Sequence, residues 1–244
     1  EDQTEVRQKE LSKGCKNLRL MVSGSAALPV SVLDKWHSIT GHRLLERYGM
    51  TEIGMAISNS YKGERRAGFI GIPLPGVMVR IVNEIGDVIE TEHEQGEIQI
   101  KGDTVFKEYW NKPTETIDSI TEDGWFKTGD SAVLVNDYYK ILGRYSIDII
   151  KSGGYKISAL EIESKLLDHH EIDECAVVGV ADEEWGEIVA VALVSDSNLQ
   201  LSDLVDWAKD KMAPYKIPRR LVGLKELPRN VLGKVTKNEI KKLF

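Results

Sequence analysis

The sequence predicts an α/β unit with a β-rich end, followed by a smaller α+β unit. Three observations carry this reading. Leu18-Arg19-Leu20-Met21-Val22 is an apolar run that enters the small-residue turn Ser23 to Ala27, after which Pro29 suits the first turn of a helix. From Gly68 the texture changes to short alternating runs separated by Gly, Asn and Asp. Beyond Arg144, helical and strand patterns alternate again, starting from a capping signal.

In order, the chain opens on a charged, helix-compatible stretch over residues 1–10, then the strand at Leu18–Val22 and a helix from Pro29 through Ile39. A second strand, Leu44-Leu45-Glu46, leads into Arg47-Tyr48-Gly49-Met50-Thr51-Glu52 and places that motif at a strand's carboxyl end, where α/β sheets hold ligands. Val77–Val82, Gly96–Lys101, Ala132–Val135 and Tyr138–Leu142 read as strands of a β-rich subdomain ending near Gly143. Ser158-Ala159-Leu160-Glu161 reads as a capping box: the Ser oxygen takes the Glu161 amide while Glu161 reaches back, opening a helix to about Asp168. Strands at Cys175–Val180 and Ile188–Val194 follow. Leu201, Leu204, Val205, Ala208 and Met212 then recur at helical spacing, and that helix stops near Pro214. The expected division is 1–143, with 1–67 α/β and 68–143 β-rich, and 144–244.

At 244 residues, with 41% apolar and 29% charged residues, the chain is long enough for two domains and reads as globular rather than disordered. A net charge of −7 provides no overall basic field, which argues against a nucleic-acid partner. The clusters over Lys211–Arg220 and at Lys237, Lys241 and Lys242 read as solvated helix faces, with a phosphate-bearing cofactor as the exception. Cys15 and Cys175 match neither a metal spacing nor a disulfide framework. No apolar run approaches the ~18 residues of a transmembrane segment, and no signal-peptide pattern opens the chain. With no initiator Met, the true N-terminus and any targeting signal are expected upstream.

Three motifs carry the chemistry: Arg47 to Glu52, Gly124-Trp125-Phe126-Lys127-Thr128-Gly129-Asp130, and Pro228-Arg229-Asn230-Val231-Leu232-Gly233-Lys234. Thr51 and Glu52 offer a hydroxyl for a phosphate oxygen and a carboxylate for Mg²⁺, or they are a surface pair capping a helix. Tyr48 either stacks on a base or fills the core. Gly129-Asp130 alone reads as a turn. Lys234 follows a glycine that presents its side chain as a point charge. Arg47 near a ligand pocket implies an anion, or it bridges Glu46 or Glu52. Gly153 and Gly154, in Ile150 to Lys156, suit a close backbone approach or an ordinary turn.

Together, in this order, the motifs resemble the adenylate-forming acyl-CoA synthetase and ligase superfamily. The resemblance implies the end of a large α/β adenylate-forming domain with a β-rich subdomain, followed by a small mobile α+β C-terminal domain. It also implies ATP or AMP, Mg²⁺ and CoA as ligands. Gly24, Ser25, Glu46, Tyr48, Gly49, Met50, Thr51, Asp130, Arg144 and Lys234 are the implied nucleotide residues, and Glu52 is the implied metal ligand. Asp130 and Arg144 would reach ribose; Lys234, with Thr51 the implied catalytic pair, would bridge carboxylate and α-phosphate. Lys151, Ser152, Gly153 and Gly154 are implied at a pantetheine tunnel once the C-terminal domain rotates. The hinge position, usually Asp or Lys, is Ser146 here, with Asp148 close enough to contribute.

The run Gly41 to Glu52, extended by Phe106 to Pro113 and Gly154 to Glu161, closely resembles malonyl-CoA synthetases. Malonate is therefore the expected acid, with Arg47 its partner and methylmalonate left open. Nothing matches the Ser/Thr/Gly-rich phosphate loop of relatives, so the chain is expected to be a C-terminal portion whose partner is the upstream half of the same fold. The expected compartment is mitochondrial or cytoplasmic. Two rivals stand: a noncatalytic nucleotide-binding fragment, and an adenylating ligase that loads a carrier-protein thiol.

Overall fold

The computed structural model describes residues 5–244. Residues 1–4 of the charged opening stretch lie outside the described residues; helix α1, Glu5–Cys15, covers the rest of that stretch. The chain divides into two units, Glu1–Ile141 and Leu142–Phe244.

The first sheet of unit one has the order β1 (Val22–Ser23), β2 (Leu45–Met50), β3 (Gly54–Ser58), β4 (Ile72–Pro73), and α2 (Val30–Thr40) connects β1 to β2. β1 runs parallel to β2, as a strand, helix, strand unit allows, and the remaining pairs are antiparallel. The strand expected over Leu18–Val22 shrinks to two residues: Leu18 is 51% and Val22 49% exposed, so the apolar run has no buried face to hold it. β2 is longer than expected because β3 folds back against it, pairing Arg47 with Ser58 and Tyr48 with Ile57. Arg47 to Met50 are therefore strand residues, and Thr51 and Glu52 occupy the following turn.

The second sheet is a meander, β5 (Val77–Val82), β6 (Gly96–Gly102), β7 (Phe126–Val135) and β8 (Tyr138–Arg144), with α3 (Pro113–Ser119) inserted before β7. β7 reaches back beyond the expected Ala132 to Phe126. Gly129-Asp130 consequently lies within a strand and not in a free turn, and the β6–β7 register shifts between Glu97 and Gln99. Such a bulge re-aims the side chains beside it. Ile53, Ile57, Ile81, Ile98, Ile100 and Phe126 form one buried cluster, with Phe106 edge-on to Phe126 at 5.5 Å. Phe126→Ala is expected to lower stability by about 3–5 kcal/mol, read as a lower urea midpoint with an unchanged slope. A loss below about 1 kcal/mol would contradict this packing.

In unit two, β9 (Ile149–Ser152), β10 (Tyr155–Ser158), α4 (Ala159–Leu166), β11 (Glu174–Asp182), β12 (Gly186–Val194), α5 (Leu201–Ala208), β13 (Arg220–Leu224) and α6 (Lys237–Lys241) build one sheet with helices on both faces. β12 pairs antiparallel with β11 along its length; parallel β13 and the end of β9 lie along its other side. Alternation along β11 and β12 divides the core. Val177, Val189 and Val191 pack with Ile162, Leu166 and Leu204 of α4 and α5, whereas Ala176, Val178, Ala190 and Ala192 pack with Ile240 of α6.

Ser158 caps α4 as expected, its Oγ accepting the Glu161 amide at 3.1 Å. The reciprocal bond is replaced, because Glu161 accepts Lys216 Nζ at 2.6 Å. α5 ends at Ala208, short of Pro214, although Met212 still packs against the core. Among the described residues, no helix is long and apolar enough to cross a membrane.

Candidate functional site

In unit one, the fold brings two of the motifs together. Tyr48 Oη donates to Asp130 Oδ2 at 2.7 Å, joining the end of β2 to the bulge of β7. Thr128 prepares that contact: its Oγ1 donates to Ile98 O at 2.7 Å and accepts the Asp130 amide at 3.1 Å, while Gly129 N donates to Glu97 Oε1 at 3.0 Å. Asp130 is 8% exposed. Beyond Met50, Thr51 is exposed in the turn, and Glu52 Oε1 accepts Tyr109 Oη at 2.8 Å. Tyr109 is held in turn by a 4.6 Å ring contact with Phe106, whose own amide bonds Glu52 O. The hydroxyl and the carboxylate are thus presented from a braced turn and not from a helix cap.

Arg47 and Glu46 are neighbours on a strand and face opposite ways. The guanidinium of Arg47 lies against Gly24: a Cβ built there would come within 2.5 Å of Nη1 and 2.6 Å of Cζ. Only glycine leaves that space. Among the described residues the Arg47 side chain forms no ion pair or hydrogen bond, so it bridges neither Glu46 nor Glu52. The guanidinium is half-buried with no carboxylate beside it among the described residues. Ser25, exposed with φ +71°, completes the same turn.

Glu46 is buried and bonds within unit one. Its Oε1 accepts the Gly68 amide at 2.9 Å, and its main-chain oxygen accepts Asn59 Nδ2 at 3.1 Å. Burial pushes its carboxyl up to about 7, against the pull of the Gly68 hydrogen bond and of Arg43. Because the folded value exceeds the unfolded one, the fold favours the protonated acid. This contribution is complete below about pH 4.5 and is lost as pH rises through 7, up to about 3 kcal/mol for that difference. Glu46→Gln is expected to become more stable relative to the parent by about 2–3 kcal/mol between pH 4 and pH 8, measured by urea unfolding. A pH-independent difference would contradict it.

Unit two carries the other implied residues. Lys151 to Lys156 form the β9–β10 hairpin, with Gly153 (φ +54°) and Gly154 (φ +84°) at its turn, both in the left-handed region that a two-residue turn of this kind needs. A Cβ on Gly153 would stand 2.7 Å from Trp185 Cε3. Lys151 is exposed while Ser152 is buried. Lys234 is exposed at the end of a loop that Asn230 organises: Asn230 Oδ1 accepts the amides of Leu232 and Lys234, both at 3.0 Å. Arg229 ties the loop to β11 through Glu174 at 2.7 Å. Arg144 is exposed, and its amide donates to Asp148 Oδ2 at 3.0 Å. The other oxygen of Asp148 is also engaged, Oδ1 accepting Lys237 Nζ at 2.6 Å. Cys175 is held as the thiol by burial, which raises it far above the ordinary range.

Sequence reasoning named Tyr109, Asn230, Arg229 and Lys237 only as members of motifs or clusters and missed what each one holds. Asn230 had a readable signal, an Asx turn before Gly233; the other three depend on partners distant in sequence. Comparisons with known proteins agree with the order of the motifs. Residues 2–110 match the family described as AMP-binding enzyme, and residues 161–234 match the AMP-binding enzyme C-terminal domain. The chain is 52% identical over 240 residues to a malonate–CoA ligase of Arabidopsis thaliana, covering 93% of this chain and 39% of that protein. It is 50% identical to the mitochondrial malonate–CoA ligase ACSF3 of Xenopus laevis, covering 92% and 43%. The crystal structure of ATP-bound MatB from Rhodopseudomonas palustris superposes with a TM-score of 0.86 at 37% identity, covering 92% of this chain and 45% of that one. The chain thus spans about two fifths of the length of these curated relatives. With both family models matched in sequence order and a mixed α/β fold shared with a solved relative, the chain belongs to the AMP-binding enzyme family.

Proposed function

We propose that this chain carries the nucleotide, acid and CoA machinery of an ATP-dependent malonate–CoA ligase. In the first step a malonate carboxylate oxygen attacks the α-phosphorus of ATP, forming malonyl-adenylate and releasing diphosphate. In the second, CoA sulfur attacks the acyl carbon and AMP leaves. The observation that carries the reading is Arg47: a half-buried guanidinium with no carboxylate partner among the described residues, on the same strand as Tyr48 and next to the Thr51–Glu52 turn. Malonate has a second carboxylate, which a guanidinium holds through charge-assisted hydrogen bonds.

The remaining residues follow from that. Tyr48 and Asp130, already hydrogen-bonded to each other, bind adenine and ribose, with Gly24, Ser25, Gly49 and Met50 shaping the wall of the pocket. Thr51 donates to a phosphate oxygen. Among the described residues no three His, Cys, Asp or Glu side chains gather as a metal cage. Glu52 alone fits Mg²⁺ travelling with ATP, since that ion takes one or two protein carboxylates and fills its shell with phosphates and water; it would neutralise phosphate charge. Lys234 supplies a mobile point charge at the α-phosphate in the first step. Arg144 serves ribose, and Lys151, Ser152 and the Gly153–Gly154 turn serve CoA in the second. On this reading residues 1–143 are the later part of the large AMP-binding domain and 144–244 the small one; a mitochondrial site of action follows the Xenopus relative.

Because the chain spans two fifths of its relatives, the assay uses it joined behind the upstream part of the Arabidopsis ligase. Malonate should drive incorporation of labelled diphosphate into ATP. Exchange with no acid tested would leave a nucleotide-binding module as the better description.

A further inference from the structure

Three residues beyond Lys234, at the start of α6, the chain buries a second lysine. Lys237 is 10% exposed in its side chain, and its Nζ lies 2.6 Å from Asp148 Oδ1 and 2.7 Å from Glu163 Oε1, each 15% exposed. The carboxylates come from two further places in unit two, the turn before β9 and the middle of α4. Each is fixed independently. Asp148 Oδ2 accepts the Arg144 amide at 3.0 Å, and Glu163 Oε1 accepts the Val177 amide of β11 at 2.7 Å. Burial would lower the Lys237 ammonium, but the two carboxylates outweigh it and hold the group above the ordinary lysine value.

A buried ion cluster is poor evidence of added stability, because desolvation offsets the attraction and apolar replacements often serve as well. What such a cluster does supply is position. The loop between Pro228 and Thr236 is closed at its base, Thr236 N donating to Pro228 O at 2.8 Å and Asn230 N to Lys234 O at 2.8 Å. One foot of it is anchored by the Arg229–Glu174 pair and the other by Lys237. Three residues of chain span at most about 10 Å, so the place of the Lys237 backbone limits where the Lys234 side chain begins. We infer that Lys237, clamped between Asp148 and Glu163, is a positioning residue for Lys234 in the adenylation step. The inference rests on the reading of Lys234 given above.

The test separates the two half-reactions in the chain joined to the upstream part of the Arabidopsis ligase. Malonate-dependent diphosphate exchange reports adenylation; conversion of supplied malonyl-adenylate and CoA to malonyl-CoA reports thiolysis. Misplacing a catalytic group by about 1 Å costs on the order of 10²-fold. Lys237→Met is therefore expected to lower the kcat of exchange by about that factor, with KM values and thiolysis nearly unchanged, and Lys237→Arg to restore most of the loss. Should Lys237→Met fail to fold, Glu163→Gln, which leaves the Asp148 contact, is expected to give a smaller loss confined to exchange. Equal losses in both half-reactions, tracking the folded fraction, would overturn the inference and leave a structural cluster. Lys234→Ala is the control. If it abolishes exchange while Lys237→Met does not, the positioning role alone fails; if Lys234→Ala leaves exchange intact, the reading of Lys234 fails first.

Discussion

Alanine at Lys234 is expected to lower malonate-dependent adenylation by about 10²- to 10³-fold, the loss typical of removing one preorganised donor from a developing charge. The side chain is exposed, and its loop is held by Asn230 and Arg229 rather than by the ammonium, so the fold should not register the change. Thermal unfolding of Lys234→Ala should match the parent within the ±0.5 kcal/mol usual for surface sites. Thiolysis of supplied malonyl-adenylate should also persist. A comparable fall in both half-reactions would mean that Lys234 holds the loop or a common ligand and is not specific to adenylation. Asn230→Ala offers a contrast: the loop loses the one oxygen that accepts two of its amides, so adenylation should fall although the lysine remains.

The second large effect concerns the acid. Arg47→Met keeps the length and apolar stem of the side chain while removing its charge. If Arg47 binds the second carboxylate of malonate, kcat/KM for malonate should drop by about 3 kcal/mol, the upper value for a charge-assisted hydrogen bond, or roughly 10²-fold. Efficiency with butyrate, similar in size and with one carboxylate, should rise. Gly24→Ala should move the preference in the same direction with Arg47 intact, because the added Cβ would occupy the place of the guanidinium. Competition between malonate and butyrate in one reaction measures the ratio directly. An unchanged ratio in Arg47→Met would remove Arg47 from the acid site.

Much of this was legible because the informative residues are local in sequence. β5 matched its alternating run residue for residue, and the Ser158 cap needed only the four residues from Ser158 to Glu161. The errors arose where a distant partner decided the outcome. Glu161 gave up its return bond to Lys216, 55 residues away. β2 and β7 grew because neighbouring strands paired with motif residues, Arg47 to Met50 in β2 and Phe126 and Lys127 in β7, and Gly129-Asp130 was carried into the strand as the bulge between two pairs. β1 shrank because its apolar run stays half exposed. The site followed the same rule. That Thr51 and Glu52 are adjacent is evident from sequence, but that Tyr109 braces Glu52 and Tyr48 meets Asp130, 82 positions on, requires the fold. Lys237 carried no local signal at all: in a lysine-rich tail, a buried lysine with two carboxylates has the same spelling as a solvated one.

The measurement that tests the central claim most directly is product formation by this chain joined behind the upstream part of the Arabidopsis ligase, given ATP, magnesium and CoA with malonate, methylmalonate, acetate or butyrate, and followed by mass spectrometry. The account predicts malonyl-CoA and AMP in equal amounts with malonate, and little acyl-CoA from either monocarboxylate. Acyl-CoA formed as readily from acetate or butyrate, or an acyl-adenylate that never passes to CoA, would contradict it.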